Sequence, residues 1–285
     1  MPDLDPSTYL PLVRAALRED VGPGDLTAQF FVPANATTSA IIHAKQSGVL
    51  AGTAPAAHTF TTLDPSLEVT IDLADGSPVG PGTTVLTVRG STRSILTAER
   101  TALNFLQHLS GVATLTSEFV RTVAGTGVEV LDTRKTTPGW RALEKAAVLA
   151  GGGSNHRIGL YDQVMVKDNH LLADDKIAAL KSAIAETRDR YPTVKIELEA
   201  DTIEQVRAFT GLGGVDIILL DNMSLDQLRE AVAITAGTGI RLEASGGITL
   251  ETLRPIAETG IHAISSGALT HSAKALDLSL TLLPA

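Results

Sequence analysis

The chain has 285 residues, 44% of them hydrophobic and 19% charged, the make-up of an ordinary soluble globular protein of one or two domains. A formal net charge of −9 and an isoelectric point near 5.2 exclude nucleic acid as the main partner, because no cationic footprint for a phosphate backbone exists. The absence of cysteine excludes disulfides and thiolate metal sites, and no apolar run approaches the ~18 residues of a membrane span.

The acidic, polar opening MPDLDPS predicts no secretory signal, so a cytoplasmic address is expected. A short amphipathic helix is predicted around Tyr9–Glu19, followed by a loop over EDVGPGDLT (19–27), where Gly and Pro break the pattern. Strands are predicted at TSAIIHAK, LEVTIDL and TTVLTVRG, the last two separated by the turn-rich ADGSPVGPG. Next, Leu96, Leu103 and Leu106 fall at helical spacing in STRSILTAERTALNFLQHL. This predicts a long helix, interrupted at SGVAT and continuing to about Val123. Strands followed by helices read as an α+β domain.

After Gly127 the pattern becomes strand, polar loop, helix, repeated. The strand-like runs are VEVLD, QVMVKD, VKIELEA, VDIILLD, IRLEAS and IHAISS. Between them lie the helical patterns WRALEKAAVLAG, DKIAALKSAIAETRDRY, TIEQVRAFTG, SLDQLREAVAITAG and TLETLRPIAETG, several ending in the Gly that helix C-termini favour. Short apolar strands alternating with helices predict a parallel sheet. Six such units fall short of an ordinary barrel of eight at ~250 residues, so an incomplete α/β barrel is expected, with an open doubly wound sheet as the alternative.

Polar residues collect at the C-terminal ends of these strands: Asp132-Arg134-Lys135, Lys167-Asp168, Glu197-Glu199, Asp221-Asn222, Glu243-Ser245 and Ser265-Ser266-Gly267. That is the end at which α/β barrels build active sites. A strand-terminal Asp also serves as a turn or cap residue, but that role does not explain Lys167, nor Glu197 and Glu199 within one apolar strand. Two residues apart, those carboxylates share a face of the sheet. From Asp132 to His170 six Lys/Arg meet four Asp/Glu, a local reversal of sign in an acidic chain that points to a small anionic ligand. Arg141 and Lys145, four apart on a helix, read as a solvated face.

The triple glycine at 151–153 lacks the spacing of a dinucleotide fingerprint, but followed by SNHR it presents side chains to a ligand. Arg134 and Arg157 can each grip a carboxylate through two parallel hydrogen bonds, and Lys135 and Lys167 add point charge. The seven histidines show no zinc spacing; His43, His58, His108 and His262 read as structural or surface, and His156, His170 and His271 as site candidates. Glu199 and Asp221 are hard oxygen ligands on neighbouring strands, suited to Mg²⁺ shared with substrate phosphates. ASGGI (244–248) and SSGALTHS (265–272) offer backbone N–H groups at helix starts, where phosphate binds.

Six segments together carry a family resemblance: AERTALNFLQHLSGVAT, DTRKTTPGWRALEKAAV, GGGSNHRIGLYDQVMVKDNH, LLDN, LEASGGI and SGALTHS, with EDVGPGDLT near the start. In this order they resemble quinolinate phosphoribosyltransferase over nearly the whole chain. The resemblance implies an N-terminal α/β sandwich domain (1–110), an incomplete α/β barrel of six or seven strands (111–272) and a C-terminal segment returning to the first domain (273–285). It also implies a homodimer and a reaction joining quinolinate to 5-phosphoribosyl 1-pyrophosphate with Mg²⁺, giving nicotinate mononucleotide, pyrophosphate and CO₂. Carried over by position, quinolinate binding falls to Arg134, Lys135, His156, Arg157 and Lys167, with Arg100 reaching in from the partner subunit. Glu199, Asp221, Ser245, Gly246, Gly267 and His271 would hold the phosphoribosyl pyrophosphate and its metal, and Asp168 sits between the groups. Lys135, Lys167, Glu199 and Asp221 form the catalytic set, and Glu199 and Asp221 the metal ligands. Departures are small: Ala146 stands where an aromatic residue is frequent, and Trp140 and SSGA replace smaller or apolar choices, which touches pocket shape and leaves the charged set intact.

Three rival readings are weighed. A Schiff-base aldolase would use Lys167 or Lys135, but two arginines beside the lysines announce carboxylates. A carrier module is suggested by DGSPVGPGTTVLTVRG, yet no lysine stands at its hairpin tip. A related pyrophosphorylase associated with molybdate transport has a similar barrel, but is not expected to keep VKDNH intact.

Overall fold

The computed structural model describes residues 4–167, 170 and 175–284. They divide into two compact units, Met1–Ser117 with Thr136–Gly153 and Leu269–Ala285, and Glu118–Lys135 with Ser154–Ala268.

In the first unit α1 (Leu10–Val21) and a second short helix, α2 (Leu26–Phe31), precede the strands. The loop expected over 19–27 is thus shorter, because Asp25 caps α2 by accepting the N–H of Ala28 at 2.9 Å. Then come β1 (Thr37–Ala44), β2 (Gly48–Val49), α3 (Thr53–Leu63), β3 (Glu68–Ile71), β4 (Pro78–Val79) and β5 (Thr84–Ser91). Alternation of buried and half-buried residues along β1 and β5 lays one face on a core of Ile42, Phe60, Leu86, Val88, Leu103 and Leu106. The antiparallel sheet is completed at its edge by a C-terminal strand, Leu278–Leu282, with Ile42 opposite Leu280.

The long helix α4 runs from Thr92 to Thr122 without the interruption expected at SGVAT. Its small residues serve close approach instead. The Ser110 hydroxyl accepts the N–H of Ala51 at 3.0 Å, and Thr114 Oγ1 accepts that of Val49 at 2.9 Å. A Cβ on Gly111 would lie 2.2 Å from the carbonyl oxygen of Lys274, so only glycine lets the C-terminal segment pack here.

The second unit holds β6 (Glu129–Leu131), β7 (Gln163–Val166), β8 (Lys195–Ala200), β9 (Ile217–Asp221), β10 (Arg241–Ser245) and β11 (Ala263–Ser265). Helix α5 (Arg141–Ala150), which follows β6, belongs to the first unit; α6 (Lys176–Arg190), α7 (Ile203–Thr210), α8 (Leu225–Thr235) and α9 (Leu250–Ala257) alternate with the later strands. Every strand lands close to its expected run. Helices α7, α8 and α9 open with capping boxes on Thr202, Ser224 and Thr249, which is why each begins directly after its strand-end loop.

All pairings are parallel, in the order β6-β11-β10-β9-β8-β7. The first strand therefore pairs with the last, the closure of a barrel and not of an open doubly wound sheet. Between β6 and β7 the barrel is incomplete; there Ser154 makes a lone parallel bridge to Leu131. Ile218, Leu220, Leu242 and Ile264 are wholly buried in this unit. A short α10 (Ala268–His271) and the C-terminal strand, β12, end the chain.

One expectation on α5 fails. Lys145 is not on a solvated face: it is 1% exposed, and its neighbour Glu144 is buried too. Glu144 accepts from His108 Nε2 at 2.8 Å and from the N–H of Thr137 at 3.0 Å, tying the TTPG turn to the helix. Trp140 stacks on Phe105 at 4.8 Å, and Ala146 borders a cavity of about 250 Å³ beside Tyr9, Leu109 and Leu143.

Candidate functional site

The strand-end residues of the second unit converge on one cavity of about 410 Å³. Arg134, Lys135, His156, Arg157, Lys167, Glu199, Asp221 and Ser245 all line it, with Thr133, Met165, Leu219, Glu243 and Ser265. Gly246 follows Ser245 directly; a Cβ there would stand 2.2 Å from the Asn222 side chain, so glycine is required. Gly267 follows β11 and is half-buried. Arg100 is exposed on α4 and His271 closes α10; both belong to the first unit. Asp168 lies outside the described residues. His170 caps the end of β7, its Nδ1 accepting the N–H of Lys167 at 2.9 Å.

The loop carrying His156 and Arg157 is fixed from several strands. Asp132, fully buried after β6, accepts the main-chain N–H of His156 at 2.8 Å. The imidazole Nδ1 accepts the N–H of Arg157 at 2.7 Å. Its Nε2 faces Glu197 Oε2 on β8 at 3.2 Å and Glu243 Oε2 on β10 at 3.4 Å. Burial disfavours a charged imidazole, but the hydrogen bonds and charges of Glu197 and Glu243 outweigh it and push His156 up to about 10. The Arg157 N–H opposes this, since imidazolium has no lone pair left on Nδ1 to accept it. Burial, reinforced by the Glu243 charge, raises Glu197 above the usual carboxylate range, against the pull of His156.

Arg157 has no ion pair among the described residues. Its guanidinium donates only to the Gln163 carbonyl at 3.3 Å and Met165 Sδ at 3.5 Å, both long contacts. Burial, then the neighbouring Arg134, lower its pKa, against the charges of Glu197 and Asp162. In the same cavity Lys167 Nζ pairs with Glu199 Oε2. Asp221 Oδ2 accepts from Asn222 Nδ2 at 2.8 Å, and Asn222 adopts a left-handed φ of 54°. Glu199 and Asp221 suit a hard divalent cation shared with phosphate oxygens, since both line the cavity from adjacent strands.

Gln163 and Met165, which contact Glu197 and Arg157, alternate with a period of two along β7 toward Lys167 just beyond it, the signal in the sequence that marks them. His43, His58, His108 and His262 do take structural parts: His43 bonds Thr281, His58 bonds Tyr9, His108 bonds Glu144, and His262 Nδ1 accepts from Leu242.

Comparison with known proteins agrees with this geometry. The N-terminal domain of quinolinate phosphoribosyl transferase matches residues 25–110, and the C-terminal domain matches residues 112–281. A Bacillus subtilis protein named probable nicotinate-nucleotide pyrophosphorylase (carboxylating) is 42% identical over 92% of this chain and 89% of its own. Quinolinate phosphoribosyltransferase (decarboxylating) 2b, mitochondrial, from Nicotiana tabacum is 42% identical over 95% of this chain and 81% of its own. The solved nicotinate-nucleotide pyrophosphorylase of Francisella tularensis superposes with a TM-score of 0.91 at 36% identity, covering 99% of this chain and 98% of that one. NadC from Streptococcus pyogenes gives 0.90 at 41% identity over the full length of both chains. With both domain models matched and a barrel mouth built from the same charged segments, this chain belongs to the quinolinate phosphoribosyltransferase family.

Proposed function

We propose that this chain transfers the phosphoribosyl group of 5-phosphoribosyl 1-pyrophosphate to quinolinate with decarboxylation, the step of NAD synthesis that yields nicotinate mononucleotide, pyrophosphate and CO₂. The observation that carries it is one cavity lined both by the cations Arg134, Lys135 and Arg157 and by Glu199, Asp221 and Ser245. The cations fit a pyridine dicarboxylate, held by Arg134, Lys135, Arg157 and Lys167, with His156 in the same group. Glu199, Asp221, Ser245, Gly246 and Gly267 would take the phosphoribosyl pyrophosphate, a role the family resemblance extends to His271, and Asp168 lies between the two groups in sequence.

Glu199 and Asp221 would hold Mg²⁺, which supplies charge neutralisation for pyrophosphate. The arginines aim the ring nitrogen at the anomeric carbon. The nitrogen forms the new bond as the bond to pyrophosphate oxygen breaks, and the ring becomes a pyridinium. Loss of CO₂ beside that nitrogen then leaves an ylide, which takes a proton from solvent. Lys135 and Lys167 serve as fixed cations; an ammonium paired with Glu199 is a poor Schiff-base nucleophile.

A homodimer with Arg100 entering the neighbouring site fits the surface of α2, where Leu26, Phe30 and Phe31 are exposed. Asp25 at the start of that helix binds Thr97, one turn from Arg100, so the cation flanks an apolar patch. A cytoplasmic location is proposed by likeness to the bacterial relatives; no helix among the described residues is long and apolar enough to cross a membrane.

Quinolinate, phosphoribosyl pyrophosphate and Mg²⁺ incubated with the protein should give nicotinate mononucleotide, followed by chromatography. No product under those conditions overturns the reading.

A further inference from the structure

The barrel interior contains a buried polar cluster of His156, Glu197 and Glu243, the first and last of which also line the cavity. His156 is 6% exposed, Glu197 0% and Glu243 2%. Two carboxylates and an imidazole so far from water are costly to bury, so their retention needs a reason. The hydrogen bonds supply one. Nδ1 of His156 accepts the Arg157 main-chain N–H at 2.7 Å, and Nε2 faces both carboxylates. Gln163 Nε2 donates to Glu197 Oε2 at 2.5 Å, fixing that carboxylate from β7. Nδ1 is thus held by a hydrogen bond, while Nε2 lies between the two carboxylates as an ion-pair contact and not in a hydrogen bond of good geometry. Meanwhile, among the described residues, the Arg157 guanidinium makes two long contacts, so its aim depends on how its backbone is held.

We propose that Glu197 and Glu243 are positioning residues that lock the His156 ring, and that His156 acts on quinolinate through Arg157, by fixing its backbone N–H, and not by direct contact. The inference rests on the functional reading above. Asp132 just after β6, Glu197 on β8 and Glu243 on β10 hold His156 from alternate strands of the barrel. The residue after His156 carries the fork that meets the substrate carboxylate. An Nε2–H donor needs only an oxygen acceptor opposite it, which Gln can provide as well as Glu.

A double-mutant cycle tests this, since residues acting as one unit are non-additive. In the wild-type background His156→Ala should raise the quinolinate KM about tenfold or more, and in an Arg157→Ala background less than about twofold. The KM for phosphoribosyl pyrophosphate should stay within about twofold in each. Glu243→Gln should stay within about threefold of wild type, whereas Glu243→Leu should reproduce His156→Ala. Should His156→Ala fail to fold, Glu243→Leu against Arg157→Ala closes the same cycle. Additive penalties in an active protein overturn the inference alone. Stoichiometric zinc in the purified protein, lost in Glu243→Gln, would also overturn it, because a cation would then replace the Nε2 proton. A wild type that makes no nicotinate mononucleotide overturns the functional reading and this inference together.

Discussion

Asp132 accepts the main-chain N–H of His156 at 2.8 Å, so the acid that opens DTRK holds the loop that carries SNHR. The two basic segments of the sequence are thus one structural object. Asp132 is fully buried, and its bond replaces the strand pairing that the incomplete barrel lacks between β6 and β7. The cations around it are set by a fixed backbone, which is what recognition of a rigid aromatic diacid demands.

The first consequence is selectivity. A second carboxylate adds a charge-assisted hydrogen bond of ~1.5–3 kcal/mol, so quinolinate should bind about tenfold or more tightly than nicotinate. Arg157→Lys should weaken quinolinate binding, because it keeps the charge and loses the fork. Calorimetry with both ligands decides it, and equal affinities would refute the assignment.

A shared site predicts complementation. Arg100→Ala and Lys167→Ala chains, each inactive alone, should regain partial activity when co-assembled, since a mixed dimer restores one site with both cations. Mixed dimers purified through two different tags and found strictly inactive would count against Arg100 crossing to its neighbour.

The order of bond changes is open to isotope tracing. If Arg134 and Arg157 bind the carboxylates as proposed, they stabilise the ground state and hinder loss of CO₂, so the driving charge must come from the substrate's own pyridinium. Quinolinate labelled in the carboxylate beside nitrogen should release label only when phosphoribosyl pyrophosphate is present. Enzyme-dependent release without it would show that decarboxylation comes first.

Gly111 provides a stability test away from the chemistry. In an exposed helix Gly→Ala gains about 1 kcal/mol. Here the added methyl group meets the Lys274 carbonyl at 2.2 Å, so Gly111→Ala should destabilise by about 1–3 kcal/mol in urea unfolding. A gain in stability would mean the C-terminal segment does not pack there.

Much of this protein follows from one-dimensional pattern. Period-two and helical spacing located the strands and helices after Gly127, because each strand is a short apolar run between well-marked caps. Charge reversal between Asp132 and His170 marked residues that come together, since Arg134, Lys135, Arg157 and Lys167 line one cavity. Three features were decided only in three dimensions. Strand order separates a barrel from a doubly wound sheet, and it depends on β6 meeting β11, more than 130 positions apart. SGVAT reads as a helix break because small polar residues disfavour helices locally; tertiary hydrogen bonds from Ala51 and Val49 reverse that preference. Lys145 reads as solvated because lysine usually is, and only packing shows it buried. The same holds for Glu197 and Glu243: spacing puts each on an interior face, but His156 comes from a distant loop, and no pattern along the chain records that the three meet.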